Sequence, residues 1–479
     1  MTRRTLAVAF VALVVLAGCQ SPAGTGGGAV ETTTAPATSD FDYADPAGDT
    51  LGWEGGYWHN ESLPVTVDDG LNETERDQVI NRSMARVEQL RSLEFEEPVP
   101  VDVISRSTYR DEYTGSGNSS DAMATFDNVK FEALFLVGER NDSLSVQNSN
   151  RGSNVLGFYT PRDDRIVVIA ESETPTIDEN TLGHELMHAL QFRNFQANFS
   201  SPTRDKANAH NGLIEGEASF LDSQYGDRCG AEWECATPEA AGGGGGGGGS
   251  IHLGVYMMKY FPYSAGSAFV EHVHSDGGWD AVAGVYDEPP ASSEQVAQPE
   301  KYGSDQPRDV TLPDRSSDDW ERVTPGGRAP HGEVGVGGLT AMFGYPAYEQ
   351  DRHPQDAVLN PLNYGANGNI DQDSPFDYAT QPVAGWDGEQ LWVYENGTET
   401  AYTWRLAFDS DGEAREFART YRQLLQYWGG ERVDAQTARW RIPENESEFA
   451  DAFRVTRSGN EVTIVNAPTT DDLDDVHSK

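Results

Sequence analysis

The sequence predicts a mixed α+β protein, a large body followed by a small C-terminal α+β subdomain. Three observations predict it. Helical periodicity recurs between residues 74 and 273, most clearly where Val79, Ile80, Met84, Val87 and Leu90 fall at helical spacing. A strand, turn and strand pattern runs from Val155 to Ala170 around Pro161-Arg162-Asp163-Asp164. From Gly385 onward, two strand-like runs, one helix and a closing hairpin follow in close order.

Taken in order, Arg3 and Arg4 precede an apolar run from Leu6 to Ala17, which ends in Leu16-Ala17-Gly18-Cys19. A charged start and a short apolar run make residues 1–19 an export signal, too short for a membrane span. The Leu-Ala-Gly-Cys ending resembles a lipobox, which implies that Cys19 carries a lipid and becomes the new N-terminus. No later apolar run reaches 18 residues, so the expected anchor is that lipid alone, on the extracellular face of the cell membrane. Residues 20–50, rich in Gly, Thr, Ser, Ala and Pro, read as a flexible tether.

The body is expected over residues 51–302. It holds a helix over 74–93, a strand over 99–104 and a helix over 122–137. After the hairpin, helices are expected over 178–195 and 207–225. The run Gly242 to Gly249 reads as a spacer, and a helical stretch over 253–273 is expected to break at Pro262. Residues 303–384, rich in Pro, Gly and Asp, are expected as loops around a short helix over 334–343. The subdomain over 385–479 has strands at 391–394 and 401–408, a helix over 412–428 and a hairpin centred on Gly459-Asn460.

Composition limits the function. Of 479 residues, 78 are acidic and 34 basic, a net charge of -44, and such a surface repels nucleic-acid phosphates. The excess runs along the whole chain, and only five lysines occur: Lys130, Lys206, Lys259, Lys301 and Lys479. In this the chain resembles proteins of extreme halophiles, whose surfaces stay hydrated in molar salt. Eight Asn-x-Ser/Thr sequons, at Asn60, Asn72, Asn81, Asn118, Asn141, Asn198, Asn396 and Asn445, agree with an external address. Outside a reducing cytosol, Cys229 and Cys235 are expected to form a local disulfide.

The chemistry concentrates in Thr181-Leu182-Gly183-His184-Glu185-Leu186-Met187-His188-Ala189-Leu190. Positions four apart on a helix differ by about 40°, so His184 and His188 stack on one face and can reach one Zn2+ ion. The bland reading is two core histidines beside an incidental acid. Charge-free flanks, free of proline, and the apolar strand ahead favour the metal site. A hydrolytic zinc site needs a third protein ligand and an open fourth position. Position 194 is Asn194, which excludes the metzincin pattern with its third histidine there. The second helix offers Glu215 and Glu217, about 200° apart so that only one faces the metal, and His210 is a further candidate.

These residues resemble the gluzincin group of zinc metallopeptidases, the thermolysin- and aminopeptidase-like branch. The second helix of that group often reads Glu-Gly-x-Ala, which Glu215-Gly216-Glu217-Ala218 matches. The resemblance implies a zincin-like fold, Glu215 as the third ligand and Glu185 as general base in peptide hydrolysis. It also implies Tyr263, within Tyr263-Ser264-Ala265-Gly266, as a donor to the oxyanion, with Tyr256 and Tyr260 as competitors and a core tyrosine as the bland reading. Gly216 would let two helices approach closely. Asp222 shares the Glu215 face, where it reads equally as an acceptor for a ligand histidine or as a solvated charge. An extended substrate is expected to pair with the strand at 165–170.

The resemblance covers about residues 150–275, and the wider layout is similar to surface lipoproteins of haloarchaea with such a core. The Gly-x-x-Glu-Asn motif of the aminopeptidases and the Asn-Glu-x-x-Ser-Asp motif of thermolysin are absent. The rival expectation is a non-catalytic surface binding protein on the same scaffold, and a zinc hydrolase of non-peptide amides is a third.

The charge has a direct test. Self-repulsion among 78 acids is screened over only about 3 Å in 1 M salt, against about 10 Å at 0.1 M. Thermal melts followed by circular dichroism should therefore show the midpoint rising steadily as potassium chloride goes from about 0.1 M to the molar range. A flat profile would remove the halophilic reading.

Overall fold

Local sequence signals set the boundaries of the first elements. The computed structural model describes residues 45–113, 120–152, 155–172, 174–238, 251–348, 358–365, 368–434 and 438–478. Strands β1 (Trp53–Glu54) and β2 (Tyr57–Trp58) pair antiparallel ahead of helix α1 (Glu73–Arg91). Asn72 and Glu75 cap that helix reciprocally, each side chain accepting from the other's backbone N–H. Next come β3 (Val101–Ile104), α2 (Arg106–Glu112), α3 (Asp121–Ala133), α4 (Ser143–Gly152), β4 (Gly157–Thr160) and β5 (Arg165–Ile169). The middle of the chain is helical: α5 (Glu179–Asn194), α6 (Arg204–Arg228), α7 (Leu253–Val285) and α8 (Ser293–Ala297). Then follow β6 (Glu321–Arg322), α9 (Gly335–Gly344), β7 (Trp386–Asn396), β8 (Glu399–Phe408) and α10 (Asp411–Tyr427). The chain closes with β9 (Glu431–Asp434), β10 (Arg439–Arg441), β11 (Ala452–Ser458), β12 (Glu461–Ala467) and α11 (Leu473–Val476). The architecture is mixed α+β, as the sequence predicts.

The elements gather into two units that interleave along the chain. Residues up to 110, 151–189 and 224–249 make the first; 111–150, 190–223 and 250–479 make the second. Helices α5 and α6 each contribute to both.

In the first unit, β5 is the middle strand of a three-stranded sheet ordered β3-β5-β4. It pairs parallel with β3, Val101 opposite Ile166, and antiparallel with β4, Tyr159 opposite Ile166. The apolar run of β5 reflects that central place.

The second unit carries a seven-stranded antiparallel sheet, ordered β6-β7-β8-β12-β11-β10-β9. Helix α10 buries Phe417, Tyr421, Leu424 and Leu425, the apolar stripe its sequence predicts. Phe135, just past α3, sits among the rings of Phe449, Phe453 and Tyr421 at 5.2–6.0 Å between centroids. The fully buried α9 starts at Gly335, whose φ of +64° and lack of a side chain are both required. A Cβ there would lie 2.3 Å from the Asp205 and Ser293 oxygens. Glu389 of β7 accepts from Val334 N and Gly335 N at 2.7 Å each, capping α9 from a strand.

Some expectations fall differently. Helix α7 runs straight through Pro262 and departs from helical geometry at Gly277 and Gly278 instead. Phe261 and Pro262 are buried in the core, so packing outweighs the one hydrogen bond that proline forfeits. Glycines 277 and 278 have no side chain to resist the bend. The signal segment with Cys19, the tether up to residue 44, Asn118 and the run from Gly242 to Gly249 lie outside the described residues. Among the described residues, no helix is long and apolar enough to cross a membrane.

A buried acid pair links α3 to the start of β11. Glu132 and Asp451 are both buried and hydrogen-bonded to each other, with Asn466 Nδ2 donating to Asp451 Oδ2 at 2.8 Å. Burial pushes the Asp451 carboxyl up to about 8, with Glu139 adding to the rise. Burial, then the charge of Asp451, raises Glu132 as well. Acids with raised folded pKa values contribute stability that is complete below their unfolded values and lost as pH rises through the folded ones. The thermal midpoint should therefore fall from about pH 4 to about pH 8, and Asp451→Asn should flatten that slope. An unchanged slope in the variant would show that the pair holds no extra proton.

Candidate metal centre

Asp178 opens α5 by accepting from Thr181 N at 3.0 Å and Thr181 Oγ1 at 3.2 Å. The first helical residue, Glu179, is fully buried. It accepts from Arg86 Nη1 at 2.5 Å, Arg82 Nη2 at 2.8 Å, Tyr225 Oη at 2.8 Å and Ala236 N at 2.6 Å. Burial alone would raise its pKa, but Arg86 and Arg82 outweigh burial and hold the carboxyl below its usual range.

One turn on, the buried rings of His184 and His188 lie 4.7 Å apart with planes at 89°. The helix thus stacks the two imidazoles as their spacing predicts. Glu215 of α6 completes a group in which one ligand atom from each of His184, His188 and Glu215 lies within 4.8 Å of the others. Gly183 is small because α6 is close: a Cβ there would meet the Tyr225 ring at 3.1 Å.

Glu185 is buried beside the pair, and its Oε2 accepts from Tyr159 N at 2.7 Å. Tyr159 sits on β4, whose opposite side pairs with β5. Its N–H therefore points away from the sheet, and so does the backbone of Gly157 two residues earlier. This corrects the expectation for the strand at 165–170. With β3 on one side and β4 on the other, β5 has no edge to offer, and the outer strands of the sheet are β3 and β4.

The rival ligands lie elsewhere. Glu217 is neither solvent-facing nor part of the group: it is buried, accepting from Gln191 Nε2 at 3.0 Å and Tyr286 Oη at 2.5 Å. The same Gln191 nitrogen donates to Ile214 O at 2.8 Å, which ties α5 to α6 one residue before Glu215. His210 pairs through Nδ1 with Ser201 Oγ at 2.8 Å, and burial, then Lys206, lowers its pKa to about 4.

Asp222 is buried, which rules out the solvated-charge reading for it. Tyr263 is half-buried on α7 and stacks on Tyr260 at 5.5 Å, which stacks on Tyr256 at 5.3 Å, with Phe376 edge-on to Tyr260 and Tyr256. The expected disulfide joins Cys229 and Cys235. Sequence reasoning did not single out Glu179, Tyr159 or Gln191. The charge of Glu179, just ahead of a stretch from 180 to 192 whose only other charge is Glu185, is a usable signal; a backbone amide such as that of Tyr159 leaves none.

Residues 321–477 match a family described as a domain of unknown function (DUF8575). That stretch runs from β6 to α11 and holds none of His184, Glu185, His188 or Glu215. No curated protein and no solved structure matches the chain.

Gly216 does permit a close approach, and the partner is α7. A Cβ on Gly216 would lie 2.3 Å from the Gly266 carbonyl carbon, and one on Gly266 would lie 2.3 Å from Gly212 O. Backbone cannot yield as a side chain can, so Gly216→Ala should cost roughly 1–3 kcal/mol in denaturant unfolding. Gly226→Ala, on the same helix with open space around it, should cost nothing measurable. Equal effects would contradict the contact.

Proposed function

We propose that this chain is a zinc-dependent metallopeptidase on a zincin-like core, held by a lipid on Cys19 at the extracellular face of the cell membrane. The observation that carries this reading is the convergence of His184, His188 and Glu215, with Glu185 buried next to them. Two imidazoles and a carboxylate are the donor set of a hydrolytic zinc site. Zinc bonds of about 2.0–2.2 Å in tetrahedral geometry put ligand atoms roughly 3.3–3.6 Å apart, inside the limit observed.

Bound there, zinc would polarise the scissile carbonyl and lower the pKa of a water at the open position. Glu185 serves as general base and then returns the proton to the leaving amine. The Tyr159 amide fixes the orientation of that carboxylate, so the base is held where the strand edge lies. The proposed substrate is an extended peptide or protein, lying alongside the outer strand β4 that carries the Tyr159 contact to Glu185. Tyr263 is the proposed donor to the oxyanion, and Asp222 the proposed acceptor for a ligand histidine.

The test compares the protein with its Glu185→Gln variant in molar salt, by metal content and casein cleavage. One zinc per chain is expected in both, with cleavage reduced by about 10²-fold or more in the variant. Zinc in both without cleavage would favour a surface binding protein on the same scaffold. Absence of zinc from the folded parent would end the proposal.

A further inference from the structure

The Cys229–Cys235 disulfide stands at the point where the two helices of the metal centre are joined. Cys229 is the first residue after α6, with its N–H bonded to Tyr225 O. Cys235 precedes Ala236, which exchanges two bonds with the start of α5: Glu179 N donates to Ala236 O at 3.0 Å, and Ala236 N donates to Glu179 Oε2 at 2.6 Å. The disulfide thus closes a short path from the end of the Glu215 helix to the residue that begins the His184 and His188 helix. Tyr225, one turn before Cys229, also donates to Glu179.

The bond is placed to react. Both cysteines are half-buried rather than sealed in the core. Arg86 Nη1 lies 3.5 Å from Cys235 Sγ, while its other contacts hold it in place: Glu179, the Glu234 carbonyl and the face of Trp233. A guanidinium at that distance stabilises a thiolate on Cys235 and makes it the better leaving group.

We propose that Cys229–Cys235 is a redox clasp on the metal centre, closed in the tight-binding state and opened by an external dithiol; for its effect on metal, this rests on the zinc reading above. One thiolate of the dithiol attacks the Cys229 sulfur, and Cys235 departs as a thiolate beside Arg86. The second thiol of the dithiol then displaces Cys229 from the mixed disulfide. The dithiol leaves as a disulfide, two electrons pass to the protein, and the two cysteines take up the two protons the dithiol gives up. Opening removes the sulfur cross-link that draws Cys235 and Ala236 onto the end of α6, leaves only the intervening main chain between them, and loosens the start of α5, five residues before His184.

The experiment reads amide exchange and zinc affinity on oxidised protein, dithiol-reduced protein and the Cys229→Ser, Cys235→Ser double variant, all in molar salt. In metal-free protein, exchange over residues 179–190 should accelerate on reduction and in the double variant, and return on reoxidation of the parent. Zinc affinity, measured by competition with a chromophoric chelator, should fall by about tenfold or more in both open forms. The serine variant excludes zinc capture by the freed thiols, and reversal on reoxidation separates opening from unfolding. Unchanged exchange over residues 179–190 in reduced protein overturns the clasp. If the oxidised parent binds no zinc, the metal reading fails while exchange still decides the clasp.

Discussion

A carboxylate taken out of water stays ionised only if cations and donors replace its hydration, and Glu179 is built on that requirement. Two guanidiniums, a phenol and a backbone N–H surround it. Removing one partner of such a buried pair typically costs about 3–5 kcal/mol, because the remaining charge is stranded. The demand of one charge therefore fixes four pieces of the first unit at once: Arg82 and Arg86 of α1, Tyr225 near the end of α6, the loop at Ala236 and the first turn of α5. Arg86 is pinned in turn by the His59 carbonyl at 2.7 Å and by Trp233. The imidazoles one turn along α5 inherit their position from this contact.

The other half of α5 and α6 is fixed by different means within the second unit. Gln191 bonds both the Ile214 carbonyl and Glu217, and Glu217 is held by Tyr286 as well. Gly212 and Gly216 set α6 against Gly266 of α7 at backbone contact. Helix α5 is thus pinned before His184 and after His188, and α6 at Gln191's two partners and at Tyr225. The ligand set proposed above lies along these two helices, and side chains carried on helices are held more precisely than side chains on loops.

What was legible in the sequence follows from range. The His184 and His188 pair is a consequence of helical geometry over four residues, and the α10 stripe and the Gly459 hairpin are equally local. The choice of Glu215 over Glu217 came from resemblance, and the structure adds the reason that Glu217 is occupied: Gln191 and Tyr286 lie 26 and 69 residues away. Strand order was illegible for the same cause. The apolar run at 165–170 announces a buried strand, yet its central place depends on pairing with β3, some sixty residues earlier. Pro262 misled because its cost of one hydrogen bond is set against core packing that no local rule registers.

The scarcity of cations in the chain gives these internal contacts their wider meaning. Lys130 is buried against Asp127, Lys301 bridges Glu294, Asp305 and Asp409, and Lys206 donates to the Ala291 carbonyl. Arg82 and Arg86 are buried on Glu179, and Arg454 is buried beside Asp474. Placing scarce cations at such contacts leaves much of the acidic surface without side-chain counterions, so solution cations must screen it. Buried pairs are screened far less than surface charges, so the same salt that quiets the exterior leaves the Glu179 contact intact. A chain arranged in this way can change its surface potential with the surrounding salt while the buried contact at the start of α5 keeps its charge pairing.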